Sequence, residues 1–263
     1  MKKFVFLIFL FFATLIMADT LKISADFLSF LYTERDDDGN FLDSEKRDNF
    51  ALKGFSIDYS HQFANGFFGG TQDFIELQTE YIEGNTNYTG SLFSIKTGVR
   101  LSTYTTTTTN KLLTTKLRFN ETQQTSHYDT KIFCSLGYRY WERNILGPYG
   151  YKEQYKWIFA DIGVGILIHD KAWHIGVESA YQYAFQPTMQ ATLQGTPTFD
   201  LGHTYGYYYE IPLQYDLNKN YTVEIAYRYD YYKINKSNTV NNLYEPQSET
   251  KNKTLKIGVI IRW

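Results

Sequence analysis

The most constraining feature of the sequence is a period of two that recurs along almost all of its length. Successive side chains of a β-strand point to opposite faces, so apolar residues at every second position mark a strand with one face turned away from water. The clearest cases are residues 205–215 and 221–231, where aliphatic residues hold the middle of one face and tyrosines its ends. This pattern predicts a chain built of strands.

The same pattern indicates that the strands cross a membrane. An apolar band between two aromatic girdles is typical of transmembrane strands, and each alternating segment has about the ten residues that a tilted membrane strand needs. The chain is rich in rings, with 24 Tyr, 20 Phe and 4 Trp, although its mean hydropathy is only −0.40. We therefore predict an all-β fold, a transmembrane antiparallel up-and-down β-barrel with a polar interior.

Ten strands are predicted, with alternatives of twelve and eight. They lie near residues 20–32, 50–63, 72–83, 91–103, 128–141, 155–168, 172–185, 204–216, 220–232 and 253–263. Short turns at 63–70, 169–172 and 216–220 alternate with long polar loops at 34–49, 143–154, 186–203 and 233–253, as in up-and-down barrels with periplasmic turns and extracellular loops. Residues 104–127 are predicted as a long periplasmic connection or, for twelve strands, as an extra hairpin turning at Asn110 and Lys111.

Residues 1–18 predict a cleaved secretory signal peptide, because two lysines precede an apolar run at 4–16 and the run is followed by Met17 and the small residue Ala18. Residues 19–263 are then a single barrel domain. Cys134 is the only cysteine, so an internal disulfide is excluded. A formal net charge of −2 without a basic stripe argues against nucleic acid as a partner.

These features together resemble bacterial outer-membrane β-barrel proteins of the small, about ten-stranded kind. The matching features are the segment at 1–18, the repeated strands, and the final TLKIGVIIRW, whose Ile257, Val259, Ile261 and Trp263 share one face. In that family a terminal aromatic strand is similar to the signal read by the barrel-assembly machinery. The resemblance implies that these four residues direct membrane insertion, and that the chain sits in the outer membrane of a Gram-negative bacterium, in contact with its lipid and lipopolysaccharide.

Charged residues fall on the faces predicted to point inward. They are Lys96, Arg100, Arg139, Asp161, Glu178, Glu210, Glu224, Arg228, Asp230, Lys256 and Arg262. The lumen of a ten-stranded barrel is narrow, so opposite charges on neighbouring strands should meet there and neutralise each other. A selective channel would instead need one sign in excess along its path. We favour a structural charge network, and no cofactor or metal ligand set is recognisable.

The predicted function is therefore a structural or surface-interaction barrel, whose extracellular ligand the sequence does not identify. The alternatives are a small porin and an outer-membrane enzyme, either an omptin-like protease or a lipid A-modifying barrel. Candidate protease residues are restricted to the run Asp36-Asp37-Asp38 and to Asp200 with His203. The Asp-Leu-Gly-His spacing departs from the Asp-x-His of omptins, which argues against that activity.

Overall fold

The structure, a computed structural model, describes residues 19–64, 70–93, 100–192 and 195–263, so the predicted signal peptide lies outside the described residues. The described residues form one antiparallel sheet. Its strands are β1 (Thr20–Arg35), β2 (Phe41–Ala64), β3 (Gln72–Phe93), β4 (Arg100–Gln124), β5 (Tyr128–Ile145), β6 (Lys152–Asp170), β7 (Trp173–Ala191), β8 (Thr198–Asp200), β9 (Thr204–Asp216), β10 (Tyr221–Ile234) and β11 (Gln247–Arg262). None of the described residues forms a helix long and apolar enough to span a membrane.

All strands except the three-residue β8 close into a ten-stranded barrel. Each strand pairs with the next, β7 pairs with β9, and β11 returns to β1 from Thr20↔Arg262 to Arg35↔Gln247. Closure leaves no unpaired edge in the wall, as a sheet in lipid requires. The predicted ten-stranded up-and-down barrel is confirmed, and the alternatives of twelve and eight strands are wrong.

The fourth strand lies elsewhere than predicted. β3 and β4 pair from Gln72↔Thr122 to Phe93↔Arg100, so residues 91–93 end one strand and residues 100–103 begin the next, while residues 94–99 lie outside the described residues. Residues 104–124 lie within β4, and the prediction of a periplasmic connection or an extra hairpin there is wrong. The error has a physical cause. The first half of β4 reads Thr-Tyr-Thr-Thr and lacks the apolar alternation by which membrane strands are recognised, whereas residues 93–101 have it.

The segments predicted as long loops are partly strands. The predicted loop at 34–49 is the paired end of β1 and β2 around a turn at 36–40, and the one at 143–154 holds a turn at 146–151. The hydrogen bonds between strands continue beyond the apolar band, because each strand stays paired with the same two neighbouring strands. We call this end, with the segments 36–40, 146–151, 195–203 and 235–246, the loop end. The opposite end, with both Thr20 and Arg262 and the short turns 125–127, 171–172 and 217–220, is the terminus end.

The outer wall carries an exposed apolar band. Ile162 on β6 is 66% exposed and Ile225 on β10 is 51% exposed, with other aliphatic residues at the same height. Tyrosines such as Tyr183 and Tyr207 flank the band towards the loop end, and Trp173 and Tyr215 flank it towards the terminus end. Such a continuous apolar surface belongs in lipid, with the rings at its two interfaces.

Candidate functional site

The barrel interior has three layers from the terminus end to the loop end. The first is a charged chamber of about 340 Å³. The second is a layer of packed aromatic and aliphatic side chains. The third is a cluster of carboxylates around one arginine, with a pocket above it at the loop end.

In the charged chamber, cations and carboxylates from different strands pair. The Lys22 amino group lies 3.1 Å from both Asp58 and Glu224, and that of Lys256 lies 2.7 Å from Glu80. These pairs link neighbouring or more distant strands of the wall, so they hold the lumen side chains in a neutral arrangement.

A second set of contacts in the chamber surrounds Arg118. Arg118 on β4 donates hydrogen bonds of 2.8 and 3.2 Å to the Glu178 carboxylate on β7 and one of 2.6 Å to the Tyr208 hydroxyl on β9. Glu178 also accepts from Tyr208 at 2.7 Å and ion-pairs with Lys131. The Arg118 guanidinium lies over the Phe133 ring. Strands β4, β7 and β9 are thereby joined through their side chains.

The structure brings most of the predicted lumen residues into such contacts. Among them are Asp161 with Lys116 at 3.6 Å, Arg139 over the Tyr232 ring, Glu224 with Lys22, Glu178 with Arg118, Lys256 with Glu80, Arg228 with Asp230 at 2.7 Å and with Glu210 at 3.9 Å, and Arg262 with Asp216 at 3.4 Å. Lys96 lies outside the described residues. Arg100 is the first residue of β4, at the loop end. The predicted strand at 91–103, which was to carry both residues, is therefore wrong.

Sequence reasoning missed the three cations that complete the network. Lys116 and Arg118 stand in the segment interpreted as a connection, and Lys22 stands in the first strand. The signal available for the first two was the alternation of Leu113, Leu117 and Phe119 with polar residues, which marks the membrane half of β4.

The second layer packs side chains across the lumen. Trp141 on β5 lies with its ring centroid 5.7 Å from that of Phe30 and 5.2 Å from that of Tyr32, both on β1, and stacks on Tyr155 of β6 at 4.7 Å. β1 and β5 are separated by three strands around the wall, so these contacts cross the interior. All four rings are buried. Leu52 and Ile82 belong to the same buried cluster.

The third layer is a buried cluster around Arg143. Its guanidinium is fully buried and contacts Glu34 at 3.2 Å, Glu45 at 2.8 Å and Glu153 at 2.5 Å. It also stacks over the Tyr32 ring at 4.1 Å. These partners come from β1, β2 and β6, so the Arg143 side chain of β5 connects four strands. Sequence reasoning had assigned Arg143 to a loop and did not predict this cluster.

A fourth carboxylate joins the cluster from the segment between β10 and β11. The Tyr155 hydroxyl donates a 2.5 Å hydrogen bond to Glu245, and the Tyr32 hydroxyl lies 3.3 Å from it. Burial, followed by the charges of Glu153 and Glu34, holds the pKa of Glu245 well above its ordinary range. Because carboxylates outnumber Arg143, the cluster is acidic as a whole.

Above this cluster lies a pocket of about 300 Å³ at the loop end. Its acidic lining residues are Glu34, Asp43, Glu153 and Glu245, and its tyrosines are Tyr88, Tyr104, Tyr149, Tyr151 and Tyr244. Neither lysine nor arginine is among the described residues that line it. We call this cavity the loop-end pocket. Arg143 beneath the pocket pairs with Glu34 and Glu153, but the four carboxylates outnumber it. Together with the ring faces they form a surface suited to positive charge.

The candidate protease residues do not form a common site. His203 hydrogen-bonds the Tyr183 hydroxyl at 3.2 Å on the outer wall, and Asp36 and Asp37 lie in the exposed β1–β2 turn. The predicted insertion residues Ile257, Val259, Ile261 and Trp263 share the outward face of β11 and its end, and their role in insertion stays a prediction. Among the described residues, no group of three or more His, Cys, Asp or Glu side chains is placed to hold a metal ion.

The comparisons with known proteins concern the fold. No family model and no curated protein matches the sequence. Among solved structures, the outer membrane protease OmpT from Escherichia coli is similar with a TM-score of 0.65 and 13% identity, covering 93% of this chain and 96% of that one. OprG from Pseudomonas aeruginosa aligns with a TM-score of 0.36 and 11% identity over 94% and 97% of the two chains, a likeness too low to carry an argument. The chain thus has the fold of bacterial outer-membrane β-barrels, and its exposed apolar band is the surface that such barrels turn to lipid.

Proposed function

We propose that this outer-membrane barrel is a non-conducting surface-interaction protein that binds a cationic group in its loop-end pocket. The proposal that the barrel does not conduct is supported by the contact of Trp141 with Phe30 and Tyr32 across the lumen. A porin needs a continuous water-filled path, whereas this interior holds a packed apolar layer beneath a buried arginine.

The lumen charges support the same proposal. Cations and carboxylates of the chamber stand in direct contact, as in Lys256 with Glu80 and Arg118 with Glu178, and neither sign runs in excess along a path. Paired charges at such distances hold each other in place and leave no field to select one sign of ion. The small-porin alternative therefore has no observation in its favour.

We expect the purified wild-type protein to show no stable conductance steps in planar bilayers, because the aromatic layer closes the lumen. An open porin prepared in the same detergent is the positive control for insertion, and heat-modifiable migration in gels checks that the barrel is folded. Regular, ion-selective steps from the wild-type protein would contradict the sealed lumen and support the porin alternative.

The proposal that the protein binds a cationic group rests on the chemistry of the loop-end pocket. Glu153 and Glu245 are buried, yet they also line a cavity that opens at the loop end. Tyr149 and Tyr244 are exposed and offer ring faces beside them. A quaternary ammonium or a lysine-like head group would gain both charge attraction and cation–π contact in this pocket.

We expect choline to bind the folded protein, and its neutral isostere 3,3-dimethyl-1-butanol to bind at least tenfold more weakly, as measured by isothermal titration calorimetry. Glu245→Gln should weaken choline binding about tenfold, which corresponds to about 1.4 kcal/mol. Glu249→Gln, on the outer wall of β11, is the matched control and should leave it unchanged. Equal binding of the two isosteres, or an equal loss in both variants, would reject a cationic ligand.

A further inference from the structure

Two histidines face each other on the inner rim of the terminus end, far from the loop-end pocket. The Nδ1 atoms of His169 on β6 and His174 on β7 lie 2.8 Å apart. The two residues are cross-strand partners next to the two-residue turn at 171–172. Their side chains are 23% and 11% exposed, so the pair is shielded but open to solvent at this end.

The Nε2 atom of each ring lies next to a carboxylate. His169 Nε2 lies 3.1 Å from Asp129, and His174 Nε2 lies 2.9 Å from Asp216. Asp216 is itself fixed by Thr222 and by Arg262. In a neutral imidazole that donates from Nε2 to its carboxylate, Nδ1 is the atom with a lone pair to offer a ligand.

The separation of 2.8 Å brings the two Nδ1 atoms close enough to share one positive centre, either a proton or a metal ion. We propose that this pair is a binding site for a divalent transition-metal ion, with His169 Nδ1 and His174 Nδ1 as its two protein ligands. Carboxylates on the outer nitrogens are the arrangement that orients metal-binding imidazoles and raises their basicity. The site is independent of the proposed surface function, which uses the opposite end of the barrel.

The geometry needs little adjustment to accept an ion. Metal–nitrogen bonds of 2.0–2.1 Å place two ligands of a tetrahedral ion roughly 3.3 Å apart. The present 2.8 Å separation would therefore open by about 0.5 Å, which side-chain rotation at a hairpin end allows. Water completes the coordination, because no third described ligand is in place. With imidazole ligands, affinity should follow Cu²⁺ above Ni²⁺ and Zn²⁺.

The test uses the untagged, folded protein in detergent, freed of metal by a chelator and titrated with CuCl₂, NiCl₂ or ZnCl₂ in a calorimeter. We expect one ion per barrel, with Cu²⁺ bound most tightly, and a copper spectrum showing two equatorial imidazole nitrogens. His169→Ala and His174→Ala should each weaken binding at least tenfold. Asp216→Asn, which removes only the orienting carboxylate, should weaken it about 10–100-fold.

His61→Ala at the same end and His203→Ala at the loop end are the matched controls, and both should bind as the wild type does. Heat-modifiable migration confirms that every variant is folded. Absence of saturable binding to the wild type would overturn the proposal and leave a proton between the two rings. Unchanged binding in His169→Ala, or an equal loss in His61→Ala, would place the metal elsewhere and overturn it too.

Discussion

Replacing Arg143 with methionine is expected to destabilise the folded barrel by about 3–5 kcal/mol, the cost of leaving buried charges without their partner. Methionine fills much of the same volume but leaves Glu34, Glu45 and Glu153 facing each other without a cation. The measurement is denaturant unfolding of the detergent-refolded protein, followed by tryptophan fluorescence. Arg47→Met, an exposed arginine of β2 towards the same end, is the control and should change stability by less than about 0.5 kcal/mol.

The pH dependence of this variant gives a second check. Without Arg143, burial and mutual repulsion raise the pKa of the cluster carboxyls in the folded state above that in the unfolded state. Stability is then greatest below the unfolded pKa and is lost as pH rises through the folded one. The pKa of Glu245 is also raised in the wild type, so this residue makes the stability of the wild type depend on pH with the same sign. The deficit of Arg143→Met should therefore shrink between pH 8 and pH 5, and a deficit that grows on acidification would contradict this account of the cluster.

Arg228→Ala is expected to cost about 3 kcal/mol, whereas Lys236→Ala should cost less than about 1 kcal/mol. Arg228 holds Asp230 with hydrogen bonds of 2.7 and 3.0 Å, and both side chains are largely buried in the lumen. Lys236 holds Asp37 at a similar distance of 2.6 Å, but both groups are exposed. The two variants thus remove the same kind of pair in two environments.

Denaturant unfolding and bilayer recordings of the two variants side by side separate a structural network from a channel lining. A structural network predicts a loss of stability in Arg228→Ala with the lumen still closed. If Arg228→Ala kept its stability and the wild type conducted with a selectivity that the substitution shifted, the charges would be a pore lining instead.

The faces of the strands followed from the sequence because lipid and lumen impose opposite demands on neighbouring residues. Ile162 and Asp161 are adjacent in sequence, and one is exposed on the outer wall while the other is buried inside. A one-residue slip would exchange them, so the alternation determines the register. The position of β4 could not be predicted in the same way, because Thr107 and Thr109 lie on the outer wall beyond the lipid, where no apolar residue is required.

The buried clusters were harder to predict because they depend on contacts across the lumen. Arg143 meets Glu34 and Glu45 from strands that are distant in sequence, and no local pattern marks such a meeting. The histidine pair is different. Once the turn at 171–172 is recognised, hairpin register places His169 opposite His174, so this feature was accessible from the sequence alone.

The height of the β1–β2 hairpin determines from which side a ligand can approach the loop-end pocket. Lys53 lies on the outer wall opposite Phe27 of β1, and the hairpin continues from this pair to Arg35 and Phe41, with residues 48–51 of β2 bulging out of the pairing. About eight residues of β1 at 3.3 Å each, tilted by about 40°, carry the rim roughly 20 Å above the level of Lys53. The head groups of lipids in the same leaflet are therefore out of reach. A ligand of the pocket has to arrive from the surrounding medium, or on a chain long enough to extend through the sugar layer of the cell surface.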